Sequence, residues 1–144
     1  MDDERSHVTD IGDVNGDGLE DIAIGQSLAS AGSATTSEPG RVVVLFGSTT
    51  ARSNLVLPTF SSLSVAGGFI LQGDSRMGPM LGSTVAGDGD INGDGYSDLL
   101  VTTSNTGVLP TGTGASPVGT GYVLYGANNL ASLNVTEFSA AGFS

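Results

Sequence analysis

The amino-acid sequence predicts an all-β protein made of four-stranded antiparallel β-propeller blades, in two repeats that form an incomplete propeller. A nine-residue pattern at residues 13–21 returns at residues 90–98, 77 positions later. Short β-branched stretches follow both copies at matching distances. Glycine accounts for 23 of the 144 residues, whereas an average share is about 7%, so turns are frequent and helices scarce. A long repeat made of short strands is typical of propeller blades.

Each repeat is predicted to run in the order strand, oxygen-rich loop, strand, long loop, strand, linker, strand. Short apolar runs bounded by Gly, Ser and Asp predict these strands. In the first repeat they cover residues 6–10, 21–25, 41–47 and 68–73, and in the second residues 83–87, 98–102 and 121–126, with a fourth only begun at 142–144. We expect a first blade at residues 1–73 and a second, truncated in its last strand, at residues 74–144.

The repeated loop presents a set of oxygen donors that suits a calcium ion. Calcium takes about 6–8 oxygen ligands in flexible geometry, whereas magnesium requires a near-octahedral shell and zinc prefers His or Cys. Glycines between the donors allow the backbone to curl around an ion. The predicted ligands of two calcium sites are the side chains of Asp13, Asn15, Asp17 and Asp21 with the Leu19 carbonyl, and those of Asp90, Asn92, Asp94 and Asp98 with the Tyr96 carbonyl.

The loop has two other interpretations. Asp, Asn and Gly favour turns without any metal, but two copies with identical donor types favour a metal site. An EF-hand loop needs a Glu at its twelfth position and flanking helices. That position is Ile24 in one copy and Val101 in the other, both inside predicted strands. The EF-hand interpretation therefore fails.

Charge and composition restrict the possible partners. The formal net charge is −11, with 15 acidic residues against four arginines, which argues against nucleic acid and anionic membranes as partners. There is no cysteine for a disulfide or a thiolate site. The acidic start lacks the features of a secretory signal, and runs such as residues 42–46 are too short to span a bilayer. We expect no membrane insertion.

These motifs resemble the FG-GAP repeat family, which forms the blades of the integrin α-subunit propeller and of many bacterial surface and secreted proteins. Residues 90–101 and 121–126 fit that pattern closely, and residues 13–21 and 41–47 almost as well. The resemblance implies that each loop lies between the first two strands of a blade and holds calcium. The sequence departs from the family where Leu81-Gly82 replaces Phe-Gly and where Glu4-Arg5 stand at the matching positions of the first copy.

Other residues are assigned mainly structural roles. His7 has no nucleophile motif near it, and Phe46, Tyr122 and Tyr125 are expected in the core between the blades. No set of charged residues indicates acid–base chemistry, so we expect no enzyme. The loops at residues 27–40 and 103–120 and the linker at 74–80 are expected on the face opposite the calcium loops, where the family commonly binds partners.

The leading expectation is a calcium-binding propeller module for adhesion or ligand binding at the cell surface or outside the cell. The partner would be a protein or a glycan bound by the loops of the opposite face. One alternative is an accessory propeller of a secreted enzyme, such as a polysaccharide lyase or a phospholipase. Another is a self-assembling structural fragment. Because two blades do not close a ring and exposed strand edges recruit other strands, we expect self-association or a longer propeller.

Overall fold

The computed structural model describes residues 6–27, 40–51, 67–73, 80–103, 120–128 and 130. Seven strands lie in these ranges: β1 (Ser6–Gly12), β2 (Asp21–Gln26), β3 (Arg41–Leu45), β4 (Gly68–Gln72), β5 (Thr84–Gly89), β6 (Asp98–Thr102) and β7 (Gly121–Leu124). They form a four-stranded sheet in the order β1-β2-β3-β4 and a three-stranded sheet in the order β5-β6-β7. All pairings are antiparallel. The predicted all-β fold with blade-like sheets is confirmed.

The strand predictions differ from the structure mainly at the ends of the strands. β1 and β5 run two residues further than predicted, through register shifts between Asp10 and Gly12 and between Ala86 and Gly89. β3 and β7 end two residues earlier, because the N–H groups of Gly47 and Gly126 donate to aspartate side chains. The strand predicted at residues 142–144 lies outside the described residues. The division at residues 73 and 74 stays a prediction.

The two sheets share one hydrophobic core. All five residues of β3 are buried, and the side chains of β3 alternate between the two faces of the first sheet. On the face toward the second sheet, Val42 and Val44 join a core cluster that includes Val85 and Val101 of that sheet. Leu81, which stands where the family has Phe, is fully buried in the same cluster and forms an isolated bridge with Gly40. It is therefore part of the core between the two sheets.

The aromatic residues divide between core and surface. Phe46 and Tyr122 are partly buried and pack against the shared core, and the Phe46 ring lies 5.9 Å from the ring of Phe69. The prediction for Tyr125 was wrong, since 48% of its surface is exposed. β7 ends at Leu124, and Tyr125 lies in the segment where the chain leaves the sheet to place the Gly126 N–H on Asp98.

His7 has the structural role predicted for it. Its Nε2 atom accepts a hydrogen bond from the backbone N–H of Val85 at 3.1 Å. The bond connects β1 of the first sheet with β5 of the second. This hydrogen bond of the single histidine in the sequence therefore links the two blades.

The first oxygen-rich loop also joins the blades. Its Asp13 carbonyl accepts a hydrogen bond from the Ser97 N–H at 3.0 Å, and its Val14 carbonyl accepts one from the Ala127 N–H at 2.9 Å. The Val14 side chain is buried in the shared core. Residues 13 and 14 therefore act as a knob that sits in a cleft of the second blade.

In the described part of the chain, no helix is long and apolar enough to cross a membrane.

Candidate metal centre

The first aspartate of each loop organises the curl of the backbone. The Asp13 carboxylate accepts three backbone hydrogen bonds, from Gly16 at 2.7 Å, Asp17 at 3.1 Å and Gly18 at 2.8 Å. Asp90 accepts the equivalent three bonds in the second loop, at 2.6, 3.0 and 2.8 Å. Such a cluster needs residues with positive φ, and the two glycines of the first loop have φ values of 76° and 83°.

The amide and the second aspartate lie side by side in each loop. The Asn15 amide donates to Asp17 Oδ2 at 3.1 Å, and Asn15 Oδ1 accepts from the Asp17 N–H at 2.9 Å. Asp17 Oδ1 also accepts from the Leu19 N–H at 2.9 Å. The second loop repeats all three bonds at Asn92, Asp94 and Tyr96. Asp17 and Asp94 are exposed, so their carboxylates are open to an ion from solution.

The last aspartate of each loop is buried and ties the loop to the third strand of its sheet. Asp21 accepts hydrogen bonds from the Val14 N–H at 3.0 Å and from the Gly47 N–H at 2.7 Å. Asp98 accepts from the Ile91 N–H at 2.7 Å and from the Gly126 N–H at 2.9 Å. The sequence pattern predicted metal ligands here but gave no indication of this second role.

The carboxylates of the site differ in their electrostatic environment. Backbone hydrogen bonds, led by that of Gly95, hold the pKa of Asp90 below its ordinary value. Burial raises the pKa of Asp21 despite its two backbone bonds. The charge of Asp10, together with smaller contributions from burial and other carboxylates, raises the pKa of the exposed Glu20. The negative charges near the first loop therefore repel one another, and a bound cation would relieve that repulsion.

The ten predicted ligands lie on the two oxygen-rich loops, five on each loop. Within the described residues, no three His, Cys, Asp or Glu side chains converge in an arrangement that could hold a metal ion. The carboxylates are instead turned toward the N–H groups of their own loops. A carboxylate has about four lone-pair sites, so an oxygen that accepts one N–H can still bind a hard cation. The donor chemistry fits calcium, and the ligand set stays a prediction.

Sequence reasoning missed two acidic neighbours of the first loop. Asp10 in β1 and Asp88 in the bulge of β5 both raise the pKa of Glu20. Asp88 has a φ of 68°, in the left-handed region where Asp is tolerated better than most residues. No pattern in the sequence marks the two as neighbours, because the packing of β1 against β5 brings them together.

The repeats have a counterpart among known families. The sequence model of the family described as FG-GAP repeat matches residues 8–45 and 81–124, more than half of the chain. Both matches contain an oxygen-rich loop, the strand before it and the two strands after it. Among curated proteins, none matches the chain. With two repeats that match in sequence and fold into antiparallel sheets, the chain belongs to the FG-GAP repeat family.

Proposed function

We propose that this chain is a calcium-stabilised, integrin-like propeller module for adhesion or ligand binding at the cell surface or outside the cell. The observation that carries the proposal is the repetition of loop geometry. The same eight hydrogen bonds organise both loops, although the residues around the donors differ. In each loop the Asn and the second Asp accept the N–H two residues on, as in Asx turns, and their oxygens keep lone pairs that a hard cation can bind.

The proposed role of calcium is structural. Each loop connects the first two strands of its sheet and is tied to the third strand by its last aspartate. An ion bound by the loop would therefore brace three strands of a blade. Sites outside the cell need only modest affinity, because extracellular modules bind calcium with dissociation constants of about 10⁻⁴ to 10⁻³ M.

Recognition is proposed to take place on the face opposite the calcium loops. Residues 28–39 and 104–119, which make up most of the two long loops, lie outside the described residues. The proposed partner is a protein or a glycan rather than nucleic acid or a lipid bilayer, since the chain carries a net charge of −11. We assign the module no catalytic step.

Thermal melting with and without calcium tests the proposal. We expect the melting temperature to rise by several degrees in millimolar calcium and to return on addition of a chelator, since an ion that binds the folded state stabilises it by mass action. Magnesium at the same concentration is the control and should have a smaller effect. A melting temperature that does not respond to calcium would mean that the loops are simple turns and not calcium sites.

A further inference from the structure

Of the five large hydrophobic residues that are exposed in the described part of the chain, four lie at repeat positions whose counterparts are buried between the blades. Ile91 is 62% exposed, whereas its counterpart Val14 is 1% exposed. Val8 is 63% exposed, whereas its counterpart Val85 is 5% exposed. Ile22 and Leu100 are exposed as well, and their counterparts Leu99 and Ala23 are buried. Each blade thus has one face packed against the other blade and exposed apolar residues on its opposite face, although on that face of the first blade Val43, Leu45 and Ile70 are buried in a second cluster.

The first blade has an open copy of the cleft that receives Val14 in the second blade. In the second blade, a Cβ added to Gly126 would meet the Ser97 carbonyl, the Tyr96 Cβ and the Val14 carbonyl. A Cβ added to Gly47 would meet the equivalent groups of its own blade, the Leu19 Cβ and the Glu20 carbonyl. A cavity of about 570 Å³ lies at this place, lined by Glu20, Ile22, Leu45, Phe46 and Gly47 among others.

The second blade has an open copy of the knob. Residues 90 and 91 correspond to residues 13 and 14, which sit in the cleft of the second blade. A Cβ added at Gly12 or Gly16 would collide with Ser97 or Tyr96, whereas the counterparts Gly89 and Gly93 face open space. In the part of the chain that the structure describes, the second loop is therefore a knob without a cleft, and the first blade is a cleft without a knob.

We propose that a second copy of this chain docks head to tail, with the Ile91 knob of one copy in the Gly47 cleft of the next. The contact between the two blades inside the chain predicts the contacts between the copies. The Glu20 N–H would donate to the Asp90 carbonyl and the Ser48 N–H to the Ile91 carbonyl, as the Ser97 and Ala127 N–H groups do inside the chain. Such a heterologous contact builds a ring if the rotation closes and an open chain if it does not.

Charge at the junction sets the conditions for association. The knob and the cleft carry charges of the same sign, because Asp90 belongs to the knob and Glu20 lines the cleft. Docking would therefore bring Asp90 of one copy close to Glu20 of the next. Like charges that lie close together repel one another, and salt screens this repulsion. We therefore expect association to become stronger as the salt concentration rises.

Complementary variants analysed by sedimentation velocity test the head-to-tail contact. Ile91→Asn removes the knob and Ile22→Asn alters the cleft, so each variant alone should self-associate about 10- to 100-fold more weakly than the wild type, as expected for losing one buried Ile. An equimolar mixture should form a dimer, because each variant retains the half that the other has lost. Glu20→Gln should strengthen association about two- to fivefold, because it removes a negative charge that lines the cleft.

Three results would overturn the proposal. They are a wild-type chain that stays at the monomer mass at high protein and salt concentrations, an Ile91→Asn variant that associates as the wild type does, and a mixture that shows no dimer. If Ile22→Asn fails to fold, Val8→Asn on the same open face takes its place. The experiment is run both with calcium and with chelator, because the proposed contacts between copies are apolar contacts and backbone hydrogen bonds. Failure of the proposed calcium role then appears separately, as an unchanged melting temperature.

Discussion

Replacing Asp21 with Ala is expected to lower the free energy of unfolding by about 3–5 kcal/mol in calcium-free buffer. The Asp21 side chain is fully buried and accepts the N–H groups of Val14 and Gly47. Alanine would remove both hydrogen bonds to the carboxylate, each worth about 1.5–3 kcal/mol, and leave the buried Val14 N–H without a partner. A domain of this size has a stability of about 5–15 kcal/mol, so the loss is a large share of the total.

Urea unfolding followed by circular dichroism measures this loss. Asp98→Ala should have an effect of similar size, because Asp98 makes the same two bonds in the second blade. Asp17→Ala is the matched control, since Asp17 is exposed and can be replaced by water at its N–H partner. If Asp21→Ala and Asp17→Ala have equal effects in chelator, the buried aspartates are not the anchors described above.

Replacing Gly126 with Ala is expected to cost about 1–3 kcal/mol, because it crowds the loop of the second blade and, less closely, the Val14 carbonyl of the first. The new Cβ would collide with the Ser97 carbonyl and lie 2.5 Å from the Tyr96 Cβ and 3.0 Å from the Val14 carbonyl. Two of these three atoms belong to the backbone, so relief requires the chain to shift, and overpacking of this kind is destabilising by about that amount.

Gly121→Ala is the control for Gly126→Ala, because a Cβ at Gly121 has open space around it. It should change stability by less than about 0.5 kcal/mol, as is usual for surface positions. Denaturant unfolding of the two variants gives the comparison. Equal stability of the two would mean that the loop of residues 90–98 does not pack tightly against Gly126.

The strands could be predicted from the sequence because each is a short apolar run next to a strong turn signal. Residues 98–102 lie between an Asp-rich loop and a segment rich in Ser, Thr and Gly, and the predicted bounds agree with those of β6. The loops could be recognised for the same reason, since their donors repeat 77 positions apart. Local chemistry was sufficient for both.

The relation between the blades could not be predicted, because it depends on contacts between distant residues. Val14 reads as an ordinary spacer between two donors, yet it is the buried knob of the junction. Tyr125 follows a strand pattern and was expected in the core, but a hydrogen bond from the next residue to Asp98 ends the strand first. The buried anchor role of Asp21 depends likewise on Gly47, 26 positions away.

Calorimetric titration of calcium into the wild type and two loop variants tests the central claim most directly. We predict two bound ions per chain for the wild type, one for Asp17→Ala or Asp94→Ala, and none for the double variant, which should stay folded through Asp21 and Asp98. Each substitution removes an exposed donor of one loop and leaves its buried anchor in place. Absence of calcium binding by the wild type, or two ions still bound by the double variant, would contradict the assignment of the loops as calcium sites.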